Sequence, residues 1–363
     1  MKTSSELQFG VEEEFALLYA DGSLANEVDA LLARVPDKYK PDRVKRDLHY
    51  CMVEVTTPVC DSPAAVERSL TELRRVVGEA AATLGLRVIS SGVHPTAPME
   101  QGTLVETPRF RRLIDGGALR GDGVHFGFHL HVSLDGPEAR VGVVNLLRWH
   151  IPDLVALSVN APFYRGEYHD VKSVRLEYYD PVPTVGPPPV IEEFADWADV
   201  LKSFAEYGVE NERDHYGDIR HRSSLPTLEV RVMDTQQSVA ETLAAAAYVW
   251  ALVRHYLTIM DDEFLPPMTE DELAANREAA WRQSLDGVFR FYGDAAPRAD
   301  YIGHTLHHLL ERNTPEAPYL ERLAARVAAG ETGADSQLTF LESDRVDGPA
   351  LLAELERKFA EGL

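Results

Sequence analysis

The sequence predicts an α+β fold in which an antiparallel sheet is assembled from well-separated strands and a helical C-terminal third begins at about residue 238. Three observations predict it. Segments near the start alternate apolar and polar residues at strand period and read as hairpin pieces. Long apolar helical patterns dominate after residue 238. No shift in composition divides the 363 residues, so residues 1–363 are expected to form one domain. Strands separated by helices would also suit βαβ units and a parallel sheet, but the hairpin pieces weigh against that.

Residues 6–19 read as a strand, closed by the turn pair Asp21-Gly22. Tyr50–Val59 reads as a second strand, ending before Asp61-Ser62-Pro63. Ser62 followed by Pro63 starts a helix that runs toward Gly85, a natural stop. Residues 86–93 form another strand, and Val124–Leu134 alternates most clearly of all. A helix follows from about Pro137 and is interrupted near Pro152, and residues 180–190 are a proline-rich loop. Pro226–Met233 is a strand. Ser238 and Glu241 form a capping box that opens a long apolar helix. From Thr269, which caps Glu-Asp-Glu-Leu, the chain reads as almost entirely helical. His304, His307 and His308 are expected at the surface, and Trp149, Trp250 and Trp281 in the core.

A formal net charge of -23 repels phosphate backbones and anionic membranes, so neither nucleic acid nor lipid is expected as a partner. No apolar run approaches the roughly 20 residues that span a bilayer, and the first residues lack the apolar segment of a secretory signal. Cys51 and Cys60 match no metal motif and read as reduced thiols, which with the absent signal predicts a cytoplasmic location.

Chemistry is carried by polar residues at strand period. In Phe9–Phe15, Gly10, Glu12 and Glu14 share one face, while Glu13 interrupts the apolar one. Glu12 and Glu14 then stand roughly 7 Å apart along the strand. Adjacent carboxylates repel unless a cation lies between them, and a hard divalent ion answers that need. A solvated edge-strand face would show the same pattern. His125, Gly127, His129, His131 and Ser133 share a face of Val124–Leu134, where imidazoles could ligate a metal or donate to phosphate. Glu54 stands at the centre of Tyr50–Val59, and Thr227, Glu229 and Arg231 alternate in Pro226–Asp234. If these faces meet, Glu12, Glu14, Glu54, His129, His131, Glu229 and Arg231 line a cavity suited to Mg²⁺ and a polyphosphate. The chain has neither a P-loop nor a strand-linked G-x-G-x-x-G, so any ATP must be held through metal and side chains. A zinc hydrolase using His129 and His131 is the competing enzyme class, and a nucleotide-binding protein without turnover is the competing binding module. Carboxylates outnumber imidazoles, which favours Mg²⁺ over zinc.

The segments FGVEEEF, HYCMVEVTTPVC, GFHLHVSL, LVALSVNAPFYRG and LPTLEVRVMD, followed by NREAAWRQSLDG, resemble in order the motifs of the carboxylate-amine ligase family, the type 2 glutamate–cysteine ligases. GFHLHVSLDG and LEVRVMD also resemble segments of glutamine synthetase, which is grouped in the same superfamily. The resemblance implies a glutamine synthetase-like antiparallel sheet forming the active-site floor, with helices packed on its other face. It implies a single catalytic domain using ATP and Mg²⁺ or Mn²⁺ to join a carboxylate, that of glutamate, to an amine such as cysteine through an acyl phosphate, and it suggests a homodimer. Glu12, Glu14, Glu54, His129 and Glu229 match the metal ligands. His131 and Arg231 match residues that approach ATP and its transferred phosphoryl group, with Arg231 and Glu54 acting on the reacting groups. Ser173 and Arg175 match a substrate-binding pair, Arg175 clamping an amino-acid carboxylate. The chain departs from the family pattern at Ser133, at residues 167–170 and at Gly217 beside Tyr216. The last two segments are loops expected to touch the substrates.

Overall fold

The structure, a computed structural model, describes residues 7–222, 226–259 and 267–363. Residue 6, where the first strand was expected to begin, lies outside the described residues.

The chain opens with β1 (Phe9–Leu18), α1 (Val28–Arg34), β2 (Val44–Arg46), β3 (Met52–Thr56), α2 (Pro63–Ala82) and β4 (Arg87–Ile89). There follow α3 (Pro108–Gly116), β5 (Phe128–Ser133), α4 (Pro137–Leu147), α5 (Ile151–Ser158), β6 (Phe163–Tyr164), β7 (Glu167–Tyr168), α6 (Val174–Tyr179) and α7 (Asp196–Ser203). Next come β8 (Ile219–Arg222), β9 (Thr227–Val230), α8 (Val239–Ile259) and α9 (Glu270–Gln283). The principal sheet has the order β2-β3-β1-β5-β9-β8, with β4 also paired to β1. Every one of these ladders is antiparallel, which excludes the βαβ alternative.

One face of the sheet is covered. Phe9, Val11, Phe128, Leu130 and Val132 join a core with Leu243, Tyr248 and Trp250 of α8, the Phe9 and Trp250 rings lying 4.6 Å apart. Phe15, Leu17, Val53 and Val55 pack with Leu73, Val76 and Val77 of α2. Glu13, which breaks the apolar face of β1, is fully buried there on a partner from α2. Arg74 donates Nε to Glu13 Oε2 at 3.0 Å and Nη2 to Oε1 at 2.5 Å. Thr242 Oγ1 donates to the same carboxylate at 2.6 Å, and Arg74 also donates to the carbonyls of Gln236 and Gln237. A buried ion pair satisfied this fully joins sheet, α2 and α8.

The helix signals hold locally. Ser62 accepts the N–H of Ala65, the Ser238–Glu241 box is reciprocal, and Thr269 caps α9 with Glu272. The break in the helix after Pro137 falls at a 3-10 turn, Arg148–His150, one residue before α5. Trp250 and Trp281 are buried, and His304, His307 and His308 are exposed.

Several boundaries differ from expectation. Val124–Leu134 is a strand only over Phe128–Ser133, because Phe126 donates its N–H to Gly92 and Gly127 bridges to Asp234. Strand 86–93 shortens to β4, since Ser90 and Ser91 turn their hydroxyls into a buried network with Gln236, Thr235 and Asn160. The C-terminal stretch is not wholly helical. Among α10 (Arg298–Leu310), α11 (Ala317–Ala329), α12 (Gly333–Leu338) and α13 (Gly348–Phe359) lie two hairpins, β10–β11 (Val288–Phe291, Asp294–Pro297) and β12–β13 (Leu341–Glu342, Arg345–Val346). Their turns, Tyr292-Gly293 and Ser343-Asp344, place Tyr292, Gly293 and Ser343 at positive φ, a turn chemistry that helical periodicity conceals. β13 pairs β7, tying the C-terminal segment to residues 167–168.

Candidate active site

The face of the sheet opposite α2 and α8 gathers the polar alternation. Register sets the gathering: Lys45 stands opposite Glu54, Glu54 opposite Glu14, Glu12 opposite His129, and His131 opposite Glu229. Arg220 on the outer strand β8 stands opposite Glu229. Because side chains alternate with period two, these six strands place all of them on one face.

Carboxylates dominate the β1/β3 half. Glu12 meets both imidazoles, with His129 Nδ1 at 3.3 Å and His131 Nε2 at 3.6 Å. His129 Nε2 lies 3.9 Å from Glu14. Glu14 accepts the N–H of Gly127 at 2.7 Å, and Lys45 Nζ lies 2.9 Å from Glu54. Burial and the neighbouring charge of Asp47 push Glu14 up to about 7, the Gly127 bond opposing them. Burial, then Glu12 and Asp47, push Glu54 well above the carboxylate range. Burial also raises Glu12, but the bonds from His129 and His131 outweigh it and hold this group low. His129 is itself pressed down to about 4 by burial and by Arg231, so it is neutral and free to ligate.

Guanidinium groups dominate the β9/β8 half. Glu229 is fully buried and receives Arg220 through Nε at 2.8 Å and Nη2 at 3.1 Å. Arg222 Nη1 adds a contact at 3.3 Å, and Arg231 Nη1 also pairs with Glu229. Burial opposes the charge of Glu229, yet Arg231 and Arg220 keep it well below the usual range. Arg231 extends back toward His129 Nδ1 at 3.4 Å and so links the two halves.

Between them, Glu12, His131 and Glu229 each offer a ligand atom, all within 4.8 Å of one another. Among the described residues no guanidinium forms an ion pair with Glu12, Glu14 or Asp47. This donor set fits a hard divalent cation: two of its three ligands are carboxylates, and Glu14 and Glu54 beside them add further carboxylates that burial and like charge push up. The metal-ligand expectation named His129 and reserved His131 for the nucleotide; both rings contact Glu12, and it is His131 that stands in this tight group.

A partly enclosed pocket adjoins the cluster, lined by Glu14, His129, Arg175 and Arg231 together with Asp47 and Tyr216. Arg175 crosses it, donating Nη1 to the Val232 carbonyl at 3.0 Å and lying 3.4 Å from Asp234. A Cβ on Gly127 would come within 2.7 Å of Arg175 Nη2, so this glycine lets the guanidinium lie against the sheet. Ser173 does not share the pocket. It is fully buried, accepts the N–H of Leu176 as the cap of α6 and donates to Asp234 at 3.0 Å, because a cap hydroxyl spends its lone pair on the helix start. Residues 167–170 do not line the pocket either, whereas Tyr216 does.

Lys45, Asp47, Arg220 and Arg222 escaped the sequence reading. β2 is three residues long and shows no alternation, and Ile219-Arg220-His221-Arg222 carries a single apolar residue, too few to show a strand period. Partnership with Glu229 could have flagged the latter pair, since one buried carboxylate needs compensating charge.

The family model described as glutamate-cysteine ligase family 2 (GCS2) matches residues 8–353. The glutamate–cysteine ligase of Haloquadratum walsbyi is 29% identical over 346 residues, covering 93% of each chain. That of Natronomonas pharaonis is 30% identical over 351 residues, covering 93% of this chain and 92% of the relative. Among solved structures, a glutamate–cysteine ligase of Francisella tularensis in complex with AMP superposes with a TM-score of 0.72 at 13% identity, over 99% of this chain and 90% of that one. The motifs, the antiparallel sheet and this near-complete match converge: the chain belongs to glutamate–cysteine ligase family 2, within the ATP-dependent carbon–nitrogen ligases.

Proposed function

We propose that the chain activates the γ-carboxylate of glutamate with ATP and joins it to an amine such as cysteine through an acyl phosphate. The observation that carries this reading is the convergence of Glu12, His131 and Glu229 within 4.8 Å beside Arg231, on the sheet face opposite α2 and α8. Glu12, Glu14, Glu54, His129, His131 and Glu229 are the residues that would hold one or more Mg²⁺ or Mn²⁺ ions. Bound there, such an ion offsets the negative charge of a polyphosphate.

The chain's own residues then divide the work. Arg231, anchored on Glu229, presents a fixed positive charge toward the pocket, where an attacking carboxylate and a phosphoryl group would otherwise repel. Arg175, held by backbone carbonyls and Asp234, orients an amino acid by its carboxylate. Amine attack on the acyl phosphate forms the amide bond and releases phosphate, and a pocket carboxylate or the departing phosphate takes the proton. Among the described residues no helix is long and apolar enough to cross a membrane.

The test is ADP release across a panel of amino acids crossed with amines, with Mg²⁺ present. ADP formation that needs both glutamate and an amine is the expected result. Turnover without ATP, dependent on bound zinc, would establish the hydrolase instead. ATP raising the melting temperature with no phosphate release for any pair would establish a nucleotide-binding protein without turnover.

A further inference from the structure

Asn160, in the segment between α5 and β6, is fully buried and stands where three distant parts of the chain meet. Its Oδ1 accepts Nε2 of Gln337 on α12 and Nε2 of Gln237, both at 2.8 Å. Gln337 Nε2 also donates to the Asn160 carbonyl at 2.8 Å, and Gln237 Nε2 to the carbonyl of Gly333, the first residue of α12, at 2.9 Å. Nδ2 of Asn160 donates to the Thr235 carbonyl at 2.7 Å. α12 is therefore docked on Asn160 through hydrogen bonds, which fix direction as well as distance.

From Asn160 the contacts continue to the pocket. Its main-chain N–H donates to Asp234 Oδ2 at 2.9 Å. Asp234 Oδ1 accepts the Ser173 hydroxyl at 3.0 Å and lies 3.4 Å from Arg175 Nη1; among the described residues it is the one carboxylate in an ion pair with Arg175. Ala161 and Ser173 form a parallel bridge, and Val174 donates its N–H to the Ala161 carbonyl at 2.8 Å, so the start of α6, which carries Arg175, is laid along the segment next to Asn160. There is little slack at the far end, because a Cβ on Gly333 would stand 2.5 Å from Asn160 Oδ1. Apolar side chains would dock α12 too, but they would not fix the direction of the Asp234 carboxylate.

Resting on the ligase reading above, in which Arg175 holds the amino-acid substrate, we infer that Asn160 and Gln337 are positioning residues for Arg175: α12 braces Asn160, Asn160 orients Asp234, and Asp234 sets the guanidinium. Neither touches the substrate. The C-terminal segment, which lies outside the principal sheet, is thus part of what determines affinity for the amino acid.

The test uses the full chain with ATP and Mg²⁺ and the amino acid that the ADP panel selects. Gln337→Met keeps the length of the side chain and removes its donors, whereas Gly333→Ala keeps every polar group and pushes Asn160 aside. Each is expected to raise KM for the amino acid about tenfold, with kcat and KM for ATP within about twofold of wild type. On an Arg175→Ala background neither should lower kcat/KM for the amino acid further, since the group they position is gone. Amides of residues 172–176 should exchange hydrogen about tenfold faster in both variants, while those of β1 and β5 are unchanged. An unaltered amino-acid KM in both variants would overturn the inference, and so would a loss that adds in full to that of Arg175→Ala. A parallel rise in both KM values would overturn it as well, by reducing the two residues to a structural role. A wild-type chain without turnover defeats the ligase reading, and the exchange measurement then decides alone: acceleration confined to 172–176 supports the brace, and unchanged exchange there removes it.

Discussion

Glu13 and Glu14 are neighbours in sequence and lie on opposite faces of the same strand. On the covered face, Glu13 is 0% exposed and meets its own guanidinium, Arg74, with Thr242 completing its hydrogen bonds. On the other face, Glu14 is also buried, with Glu54 across the ladder and Asp47 nearby; a backbone N–H from Gly127 is its close donor, and the charges of Arg175 and Arg231 offset the repulsion only in part. One carboxylate is neutralised from within the chain. The other belongs to a group left short of positive charge. Burial alone therefore does not distinguish Glu13 from Glu14; the groups that meet each carboxylate do.

That contrast can be broken at either face. The largest effect is expected from Glu12→Gln or Glu229→Gln, each lowering ADP formation by about a thousandfold or more while the circular dichroism spectrum stays native. Near-normal turnover in both would dissolve the distinction between the faces. Next comes Arg74→Met, which strands Glu13 in the core. It should cost about 3–5 kcal/mol in denaturant unfolding, with activity per folded molecule retained, and Glu13→Met added to it should recover much of the loss. If Arg74→Met were harmless to stability, the covered-face pair would not be structural. Glu14→Gln should act in the opposite sense, raising the melting temperature of the metal-free protein by about 2 °C through relief of like-charge repulsion. Mg²⁺ should then stabilise this variant less than the wild type. The smallest effect is Thr242→Val, a loss of about 1 kcal/mol with activity unchanged, which measures one hydrogen bond to Glu13.

Much of the site was legible because period-two alternation survives in a single sequence. Glu12, Glu14, His129, His131 and Glu229 all stand on the face their spacing implied. Ser173 shows the limit of motif matching: a serine two residues before an arginine reads the same whether its hydroxyl meets a substrate or caps a helix. His125 shows the limit of alternation, since the strand begins only at Phe128 and the ring reaches the pocket from the segment before it. The hairpins Val288–Pro297 and Leu341–Val346 were hidden because short strands between helices carry too few residues to show a period.

By itself, the order of residues determined the class of fold, the helix starts at Ser62, Ser238 and Thr269, and which side chains share a strand face, because caps and pleats are set by neighbours along the chain. Only the tertiary structure decided which faces meet, which of two adjacent glutamates receives Arg74, and which polar atoms are left without partners. Those outcomes depend on strand order and on contacts between residues far apart along the chain, 229 positions in the case of Glu13 and Thr242, and no local preference encodes them.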